Sequence, residues 1–431
     1  MKEKISKKQM GRREFISKAS KGAAAVAAIT GFPYVSFGAT KKVRIFWIPG
    51  HLYKAYDAAA KEVEKKFDCQ FQLEVMEFAE MRSKFMAAIA AGRDAPDLIE
   101  EDFMTDEFAP QGYLHPLTEF IKKDGKEMGY PDDWQPYAIN RQTVDGVHYG
   151  IQLHLTNLCL YYNRELFKAN GIKEPPTNWA EFLETAQKCT KRVGDRTETW
   201  GYVLHYQQRF AWPWFYQNEA TWYDPATKKV LTDSKESVEA FQFLQDLIHK
   251  YKVAPPPAVE IGSSGPPKLF IPGRAAMITS GPWDIKPIKD GNPKLDWFIT
   301  VMPKGKRQAT TGYGTGMFIP KLAQEKELAW ELMKKWTSLD VEIAVTKEAN
   351  MCMPRKTWAK HPEVQKTELI KPFAESMPIS IDYNAEIRRT HKSEIYTTLW
   401  QKTFDDIVFN KKTAKEALQE YTERANAILK G

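Results

Sequence analysis

The sequence predicts an α/β protein built from two regions, each a sheet of mainly parallel strands flanked by helices. Two observations lead to this prediction. Short apolar runs alternate with longer segments of helical periodicity from residue 43 onward, and a second alternation begins near residue 156. A length of 431 residues and a hydrophobic content of 43% are sufficient for two sizeable cores.

The first region shows the strand and helix alternation that is typical of a parallel, helix-covered sheet. Its first helix carries Tyr56, Val63 and Phe67 on one face, at the spacing of 3.6 residues that an amphipathic helix requires. The predicted strands are VRIFWI (43–48), FQLEV (71–75) and DLIE (97–100), and the predicted helices between them cover 53–67 and 80–91.

The second region repeats the alternation, and its helices have recognisable starts. Asn178 with Glu181 and Asp233 with Glu236 have the spacing of capping boxes, and Thr413 with Glu416 repeats it near the C-terminus. The predicted strands are LCLYYN (158–163) and WFITVMP (297–303), and the predicted helices include 179–191, 324–338, 394–409 and 413–429.

The first 38 residues have the features of an export signal. The pair Arg12-Arg13 precedes the weakly apolar run GAAAVAAITGF (22–32), and this arrangement resembles a twin-arginine signal. The run is too short to span a bilayer. We expect cleavage after Gly38 and a periplasmic location for the mature protein. A basic amphipathic N-terminus that stays in the cytoplasm is the alternative.

Removing this segment changes the charge balance. The whole chain has a net charge of +7, and eight Lys and Arg against Glu3 and Glu14 give the first 38 residues +6. The mature chain therefore retains only the difference, +1. A nucleic-acid-binding protein requires clustered excess Lys and Arg, which the mature chain lacks. We therefore expect no nucleic-acid partner.

The four cysteines predict neither a cofactor nor a metal site. Cys69, Cys159, Cys189 and Cys352 are widely separated and form no CxxC pair, which zinc and redox motifs require. We expect free structural thiols, although a disulfide that forms after export remains an alternative.

Several stretches, taken in order, resemble the extracellular solute-binding proteins of ABC transporters, in the family 1 or maltose-binding-like branch. Together they extend over nearly all of the mature chain. They are PDLIEE (96–101), GYLHPL (112–117), DGVHYGI (145–151), LYYNRELFKANGIKEPPTNWAEF (160–182), FIPGRAAMITSGPW (270–283), VMPKG (301–305), GYGTG (312–316) and AWELMKKWTS (329–338).

This resemblance implies a two-lobed, type II periplasmic-binding-protein fold that closes on its ligand. Residues 39–155 and 302–345 would form one lobe, and residues 156–301 and 346–431 the other. Closure would occur by bending at the crossovers near 155, 301 and 345. The resemblance also implies a monomer that delivers a carbohydrate to a membrane permease, with the twin-arginine translocase as a partner during export.

Trp283 is the first candidate for ligand binding. It follows Gly281 and Pro282 and precedes Asp284. A flat indole covers the C–H face of a sugar ring, and a carboxylate beside it binds the hydroxyl groups on the rim. In the resembling family, the Trp of this turn commonly stacks on the ligand. Packing within the core is the alternative role.

Further candidates lie at strand ends or near the implied crossovers. Ligands of open α/β sheets bind beyond the carboxyl ends of the strands, which selects the acidic residues after the third predicted strand. The aromatic loop QQRFAWPWF (207–215) contributes one cationic and several aromatic candidates for ligand binding, and the glycine run GYGTG contributes a tyrosine. The remaining candidates are Trp47, His51, Glu101, Asp102, Asn157, Arg209, Trp212, Tyr313 and Arg355.

Two other classes of protein remain open. An exported glycoside hydrolase also lines its cleft with acids and tryptophans, but it requires two carboxylates that face one glycosidic bond. A redox enzyme would fit twin-arginine export, yet the sequence lacks a dinucleotide fingerprint. Among binding proteins, an anionic or amine solute is an alternative to a carbohydrate, because His51, Arg209 and Arg355 suit a negative charge.

Overall fold

The computed structural model describes residues 40–101, 104–205, 207–256, 265–382, 390, 392 and 394–431. Of these, Lys41–Gly431 belong to one compact unit. The predicted export signal, with Arg12-Arg13, and the candidate Asp102 lie outside the described residues. Within the described part of the chain, no helix combines the length and apolar character needed to cross a bilayer.

The strands are short, and they alternate with helices along the chain. They are β1 (Lys41–Trp47), β2 (Cys69–Val75), β3 (Leu98–Glu101), β4 (Thr143–Val144), β5 (Val147–His148), β6 (Gly150–Gln152), β7 (Thr156–Asn157), β8 (Cys159–Asn163), β9 (Lys191–Val193), β10 (Arg196–Val203), β11 (Tyr223–Asp224), β12 (Lys229–Val230), β13 (Ala275–Ser280), β14 (Trp297–Thr300), β15 (Thr310–Tyr313), β16 (Gly316–Phe318) and β17 (Ser380–Asp382).

The helices are distributed along the chain, and after β16 they form most of the described structure. The α-helices are Lys54–Phe67, Phe78–Ala91, Met104–Phe108, Thr118–Met128, Pro136–Arg141, Arg164–Ala169, Trp179–Cys189, Trp212–Gln217, Lys235–His249, Pro267–Phe270, Ile285–Gly291, Lys326–Trp336, Leu339–Ala349, Lys356–Lys360, Pro362–Lys366, Lys371–Ser376, Trp400–Val408 and Ala414–Lys430. Short 3₁₀ turns cover Pro49–His51, Gln208–Ala211, Pro282–Asp284 and Met377–Ile379, and Ile395–Leu399 is a π-helix.

The first five-stranded sheet has the order β2-β1-β3-β16-β6. Its first half is parallel, because β1 pairs with β2 and β3 in the same direction. Helices Lys54–Phe67 and Phe78–Ala91 connect these strands, so the predicted β-α-β-α-β unit is confirmed. The other half is antiparallel, since β16 runs opposite to both β3 and β6.

The second five-stranded sheet has the order β14-β8-β13-β10-β9, and its strand directions are mixed. Only β10 and β13 pair in parallel, whereas β8 runs antiparallel to both β13 and β14. The expectation of a mainly parallel sheet is wrong here. β8 and β13 are far apart in the sequence, so no single crossover helix between them sets their relative direction.

A small sheet, β17-β15-β7, lies in the chain segments that pass between the two large sheets. β15 pairs antiparallel with β7 and parallel with β17. This sheet holds β15 next to β7, at the start of the second region. The chain then continues directly into β16 of the first sheet.

Two of the three predicted capping boxes lie at helix starts, one as a complete box and the other with only its N-cap hydrogen bond. Thr413 and Glu416 form a complete capping box, and the Asn178 side chain accepts the backbone N–H of Glu181. The prediction that Asp233 caps the next helix is wrong. Ser234 is the N-cap, because its backbone is extended and its hydroxyl accepts the N–H of Ser237.

All four cysteines are buried and free. The expectation of free structural thiols is therefore confirmed. Burial raises the pKa of the Cys189 thiol to about 12 and that of Cys159 further, so neither is a reactive thiolate at neutral pH.

Candidate functional site

Trp283 lies in the 3₁₀ turn Pro282–Asp284, directly after strand β13, and its side chain is 37% exposed. Few large apolar side chains of the described chain are as open to solvent. Its ring folds back over Gly281, where an added Cβ would lie 2.2 Å from the indole. The glycine therefore holds the ring in this position, because any other residue would displace it.

Aromatic and cationic side chains surround this indole. The rings of Phe210 and Tyr313 meet it edge-on, with centroids 6.5 and 6.3 Å away. The Arg209 guanidinium lies 5.8 Å from the Tyr313 ring centroid, and the Tyr313 hydroxyl donates to the Arg209 carbonyl over 2.9 Å. Such edge-to-face contacts fix the orientation of the indole, and Trp283 stays partly exposed.

Asp284 completes this group as a half-buried acid. The Ser280 hydroxyl donates to its carboxylate. Burial raises the pKa of Asp284, and side-chain hydrogen bonds from Ser280 and Trp283 oppose that shift. We call Arg209, Phe210, Trp283, Asp284 and Tyr313 the aromatic group.

A second group of polar side chains lies at the carboxyl end of β3. Glu100 is fully buried, and its Oε1 is 2.5 Å from His51 Nδ1 and 2.6 Å from the Thr315 hydroxyl that donates to it. Its Oε2 is also buried and has no hydrogen-bond partner among the described residues. The imidazole of His154 stands 4.2 Å from that of His51, at an angle of 72°.

His154 is held by contacts on both ring nitrogens. Its Nε2 lies 2.8 Å from the Tyr56 hydroxyl, and its Nδ1 lies 3.3 Å from Thr315 Oγ1 and 3.7 Å from Glu100 Oε1. Burial, reinforced by the neighbouring His51, places the pKa of His154 well below its ordinary value, so its imidazole is neutral. We call His51, Glu100, His154 and Thr315 the histidine group.

The segment 313–315 joins the two groups. Tyr313 packs against Trp283 and Thr315 donates to Glu100, and residues two apart in an extended chain are separated by roughly 7 Å. Gly314 between them has φ +147°, and an added Cβ would lie 1.9 Å from the His154 carbonyl oxygen. The glycine run therefore permits this close approach, and the short segment 313–315 contacts both groups.

His51 lies at the opening of a cavity of about 260 Å³ beside the histidine group. Aromatic side chains form much of its wall. They are Trp47, Tyr53, Tyr56, Phe71 and Trp336. This space is larger than a water molecule requires, so a ligand group can reach the exposed side of His51.

Of the candidates from the sequence, Arg209, Trp283, Asp284 and Tyr313 lie in the aromatic group, and His51 lies in the histidine group. Trp47 and Glu101 are buried next to residues of the histidine group. The indole of Trp47 is buried against Trp336 and donates to the His51 carbonyl, and the buried Glu101 carboxylate lies 3.6 Å from an Arg82 nitrogen.

Three other candidates lie in packed surroundings. Trp212 is fully buried between Trp222 and Trp400, with centroids 4.0 and 4.8 Å away. Arg355 is buried and donates to Thr337, Met128 and Asp133, and the Asn157 amide donates to the Phe373 carbonyl and the Ser380 hydroxyl. We therefore assign these three side chains to stabilisation of the fold.

The sequence pointed to the acidic run after the third strand, from which Glu101 and Asp102 rather than Glu100 were selected, and His154 and Thr315 were missed. Successive residues of a strand point to opposite faces, so only one of Glu100 and Glu101 can face the site. The pairing of β16 with β3 brings Thr315 within hydrogen-bond distance of Glu100, so Glu100 is the acid that faces the site. No feature near His154 distinguishes it in the sequence, because its partners are contributed by distant segments.

Comparisons with known proteins agree with this architecture. The model of the bacterial extracellular solute-binding protein family matches residues 58–372, and the chain belongs to that family. An ABC substrate-binding protein of Listeria monocytogenes in complex with cycloalternan is similar in structure, with a TM-score of 0.77 at 21% identity, over 90% of this chain and 99% of that one. The fold is thus the two-lobed α/β fold of these binding proteins.

Two curated relatives are similar in sequence. The arabinooligosaccharide-binding protein of Halalkalibacterium halodurans is 23% identical over 427 residues, which cover 90% of each chain. The maltotriose-binding protein of Pyrococcus abyssi is 26% identical over 308 residues, or 68% of this chain and 59% of that protein.

Proposed function

We propose that this protein is the substrate-binding component of an ABC importer and that it delivers a carbohydrate, an oligosaccharide in size, to a membrane permease. The observation that carries the proposal is the partly exposed indole of Trp283, which precedes Asp284 and packs against Tyr313, whose ring in turn contacts Arg209. The indole face suits the C–H face of a pyranose, and the two charged groups form strong hydrogen bonds with hydroxyls.

The names of the relatives support a carbohydrate ligand. One binds arabinooligosaccharides and another maltotriose, and a structural neighbour was determined with cycloalternan. These ligands are all oligosaccharides, although they differ in sugar and linkage. The class of ligand is therefore better supported than any particular sugar.

The proposed lobes are residues 39–155 with 302–345 and residues 156–301 with 346–431. Two crossings fit the strands, since β7 begins at Thr156 and β14 ends at Thr300. The third crossing, expected near 345, lies inside helix Leu339–Ala349. We therefore propose this crossing after Ala349, which transfers residues 346–349 to the first lobe, because a hinge bends more readily at the end of an element.

We further propose that the protein is exported through the twin-arginine translocase and acts in the periplasm as a monomer. The support for export is the pair Arg12-Arg13 before a weakly apolar run, together with membership of an extracellular family. The permease subunits would be its partners in the membrane.

We propose that the protein binds its ligand without converting it. Its family and relatives are binding proteins, whereas a glycoside hydrolase would place two carboxylates about 5–9.5 Å apart across one bond. An anionic or amine solute is the second candidate. The guanidinium of Arg209 in the aromatic group favours the anion of these two.

A calorimetric titration of the mature protein tests the proposal. Arabino-, malto- and gluco-oligosaccharides would be compared with acidic sugars and amines at equal concentration, and each mixture would be analysed afterwards by chromatography. We expect saturable binding of a neutral oligosaccharide that is recovered intact. Binding confined to anions or amines would contradict the carbohydrate assignment, and steady release of shorter sugars would indicate a hydrolase.

A further inference from the structure

The histidine group contains three side chains that are common metal ligands. One nitrogen or oxygen atom from each of His51, Glu100 and His154 lies within 4.8 Å of the others. They come from distant parts of the chain, so no ligand spacing in the sequence reveals them. The side chains of Glu100 and His154 are 0% and 1% exposed, and that of His51 is 16% exposed.

The second observation is the unpartnered oxygen of Glu100. Oε1 accepts from His51 and Thr315, whereas the fully buried Oε2 has no hydrogen-bond partner among the described residues. A buried carboxylate oxygen without a partner is costly. A cation bound by this carboxylate would compensate its buried negative charge.

We propose that His51, Glu100 and His154 bind one divalent transition-metal ion of the zinc class. Two imidazoles and one carboxylate are the ligands of open zinc sites, in which a fourth position remains for water or substrate. Magnesium and calcium prefer oxygen ligands and are disfavoured by the two imidazoles.

The surroundings of His154 suit it as a ligand. The Tyr56 hydroxyl lies 2.8 Å from Nε2, so it can accept an Nε2–H and leave the Nδ1 lone pair facing Glu100. A partner on the second ring nitrogen fixes the tautomer and orientation of metal-bound histidines.

His51 must adjust for the ion to enter. Its Nδ1 is 2.5 Å from Glu100 Oε1, whereas two atoms bound to one tetrahedral zinc at about 2.1 Å lie roughly 3.4 Å apart. An outward shift of the imidazole by about 1 Å is sufficient, and His51 is the partly exposed member of the three. The open fourth position would then face the cavity beside His51, where a hydroxyl of the solute can reach it.

Zinc titration of the purified mature protein, stripped with a chelator, tests this site directly. We expect one equivalent of Zn²⁺ to bind by calorimetry, and one equivalent of Co²⁺ to produce the visible absorption of a low-coordinate site. His51→Gln and Glu100→Gln should each weaken Zn²⁺ binding by more than about a hundredfold, since even an outer-shell partner contributes ten- to a hundredfold.

His115→Gln is the matched control, because it removes an imidazole that packs against Phe120 outside the group. It should bind Zn²⁺ like the unmodified protein. Circular dichroism without metal would establish that each variant is folded, and the partly exposed His51 decides the outcome if Glu100→Gln is unstable. Absence of Zn²⁺ binding, or equal binding by the His51→Gln variant, would overturn the proposal. No sugar is used, so the result is independent of the proposed carbohydrate function.

Discussion

At the scale of single residues, the site depends on where a large ring is left exposed. Trp283 and Trp212 are the same residue type in similarly aromatic surroundings, yet one ring is 37% exposed and the other fully buried. The difference arises from the backbone. Gly281 lets the indole of Trp283 fold back beside β13, whereas Trp212 begins a helix whose rings stack inside the core.

Replacing these two tryptophans should therefore have opposite effects. Trp283→Ala should weaken oligosaccharide binding about thirtyfold or more, because loss of a dominant aromatic contact costs roughly 2 kcal/mol. Trp212→Ala should instead lower the free energy of unfolding by about 3–5 kcal/mol through the cavity that it leaves. Calorimetric titration and urea unfolding measure the two quantities. Normal affinity in Trp283→Ala would remove this residue from the site.

A second prediction concerns His205, whose ring stacks on Phe210 with centroids 3.9 Å apart. Burial, with the nearby Arg209 charge, lowers the pKa of His205 from 6.5 to about 3. The folded state thus binds fewer protons than the unfolded state between these values. This contribution to stability is complete above pH 6.5 and is lost progressively as the pH falls towards 3.

Urea unfolding at pH 7 and pH 5 would measure this effect. The free energy of unfolding should fall between the two pH values, and it should fall less in His205→Gln, which cannot be protonated. An equal decrease in both proteins would show that other groups cause the pH dependence.

Residue chemistry alone predicted much of the aromatic group but little of the histidine group. Trp283, Asp284, Arg209 and Tyr313 stand in aromatic or glycine-rich stretches whose composition is unusual. His154 stands in an ordinary apolar stretch. Its role depends on Tyr56 and Thr315, which are 98 and 161 residues away in the chain.

At the scale of elements, the turn between β15 and β16 connects the two groups of the site. Gly314 must adopt φ +147°, and its α-carbon faces the backbone of His154 without room for a side chain. A run of glycines permits a close approach to the backbone, and the sequence contains such a run at GYGTG. The structure shows that the approaching atoms belong to His154.

Gly314→Ala should lower the free energy of unfolding by about 1–3 kcal/mol or more, since the backbone conformation is unfavourable for alanine and a backbone oxygen blocks the methyl group. It should also weaken ligand binding, because a shift of the backbone at residue 314 displaces the side chains of Tyr313 and Thr315. Gly50→Ala is the control for stability, because its Cβ would meet no atom within 4 Å. Urea unfolding compares the variants, and equal stability of the two would contradict the steric argument.

Local signals predicted elements better than they predicted strand pairing. The predicted strand at 43–48 and the cap at Thr413 depend on neighbouring residues, and both elements formed. The observed N-cap is Ser234, one residue after the predicted Asp233, because either side chain can accept a hydrogen bond from the backbone of the first helical turn. Pairing of β8 with β13 and β14 depends on contacts across the fold, which periodicity does not encode.

At the scale of the whole molecule, the proposed function requires that the two lobes approach each other. The aromatic group lies beside the second sheet and the histidine group beside the first, so a ligand that contacts both would favour a closed arrangement. A ligand shifts such an equilibrium only as far as its affinities for the two states differ.

Small-angle X-ray scattering of the mature protein tests this closure. A saturating oligosaccharide, identified by the titration above, should reduce the radius of gyration, because contacts with both groups are complete only when the lobes close. Trp283→Ala at the same sugar concentration should remain as extended as the ligand-free protein, since its weakened binding leaves the site mostly unoccupied. Raising the sugar concentration about thirtyfold should then restore the decrease. An unchanged radius in the unmodified protein, with binding verified in the same sample, would mean that the ligand does not close the lobes.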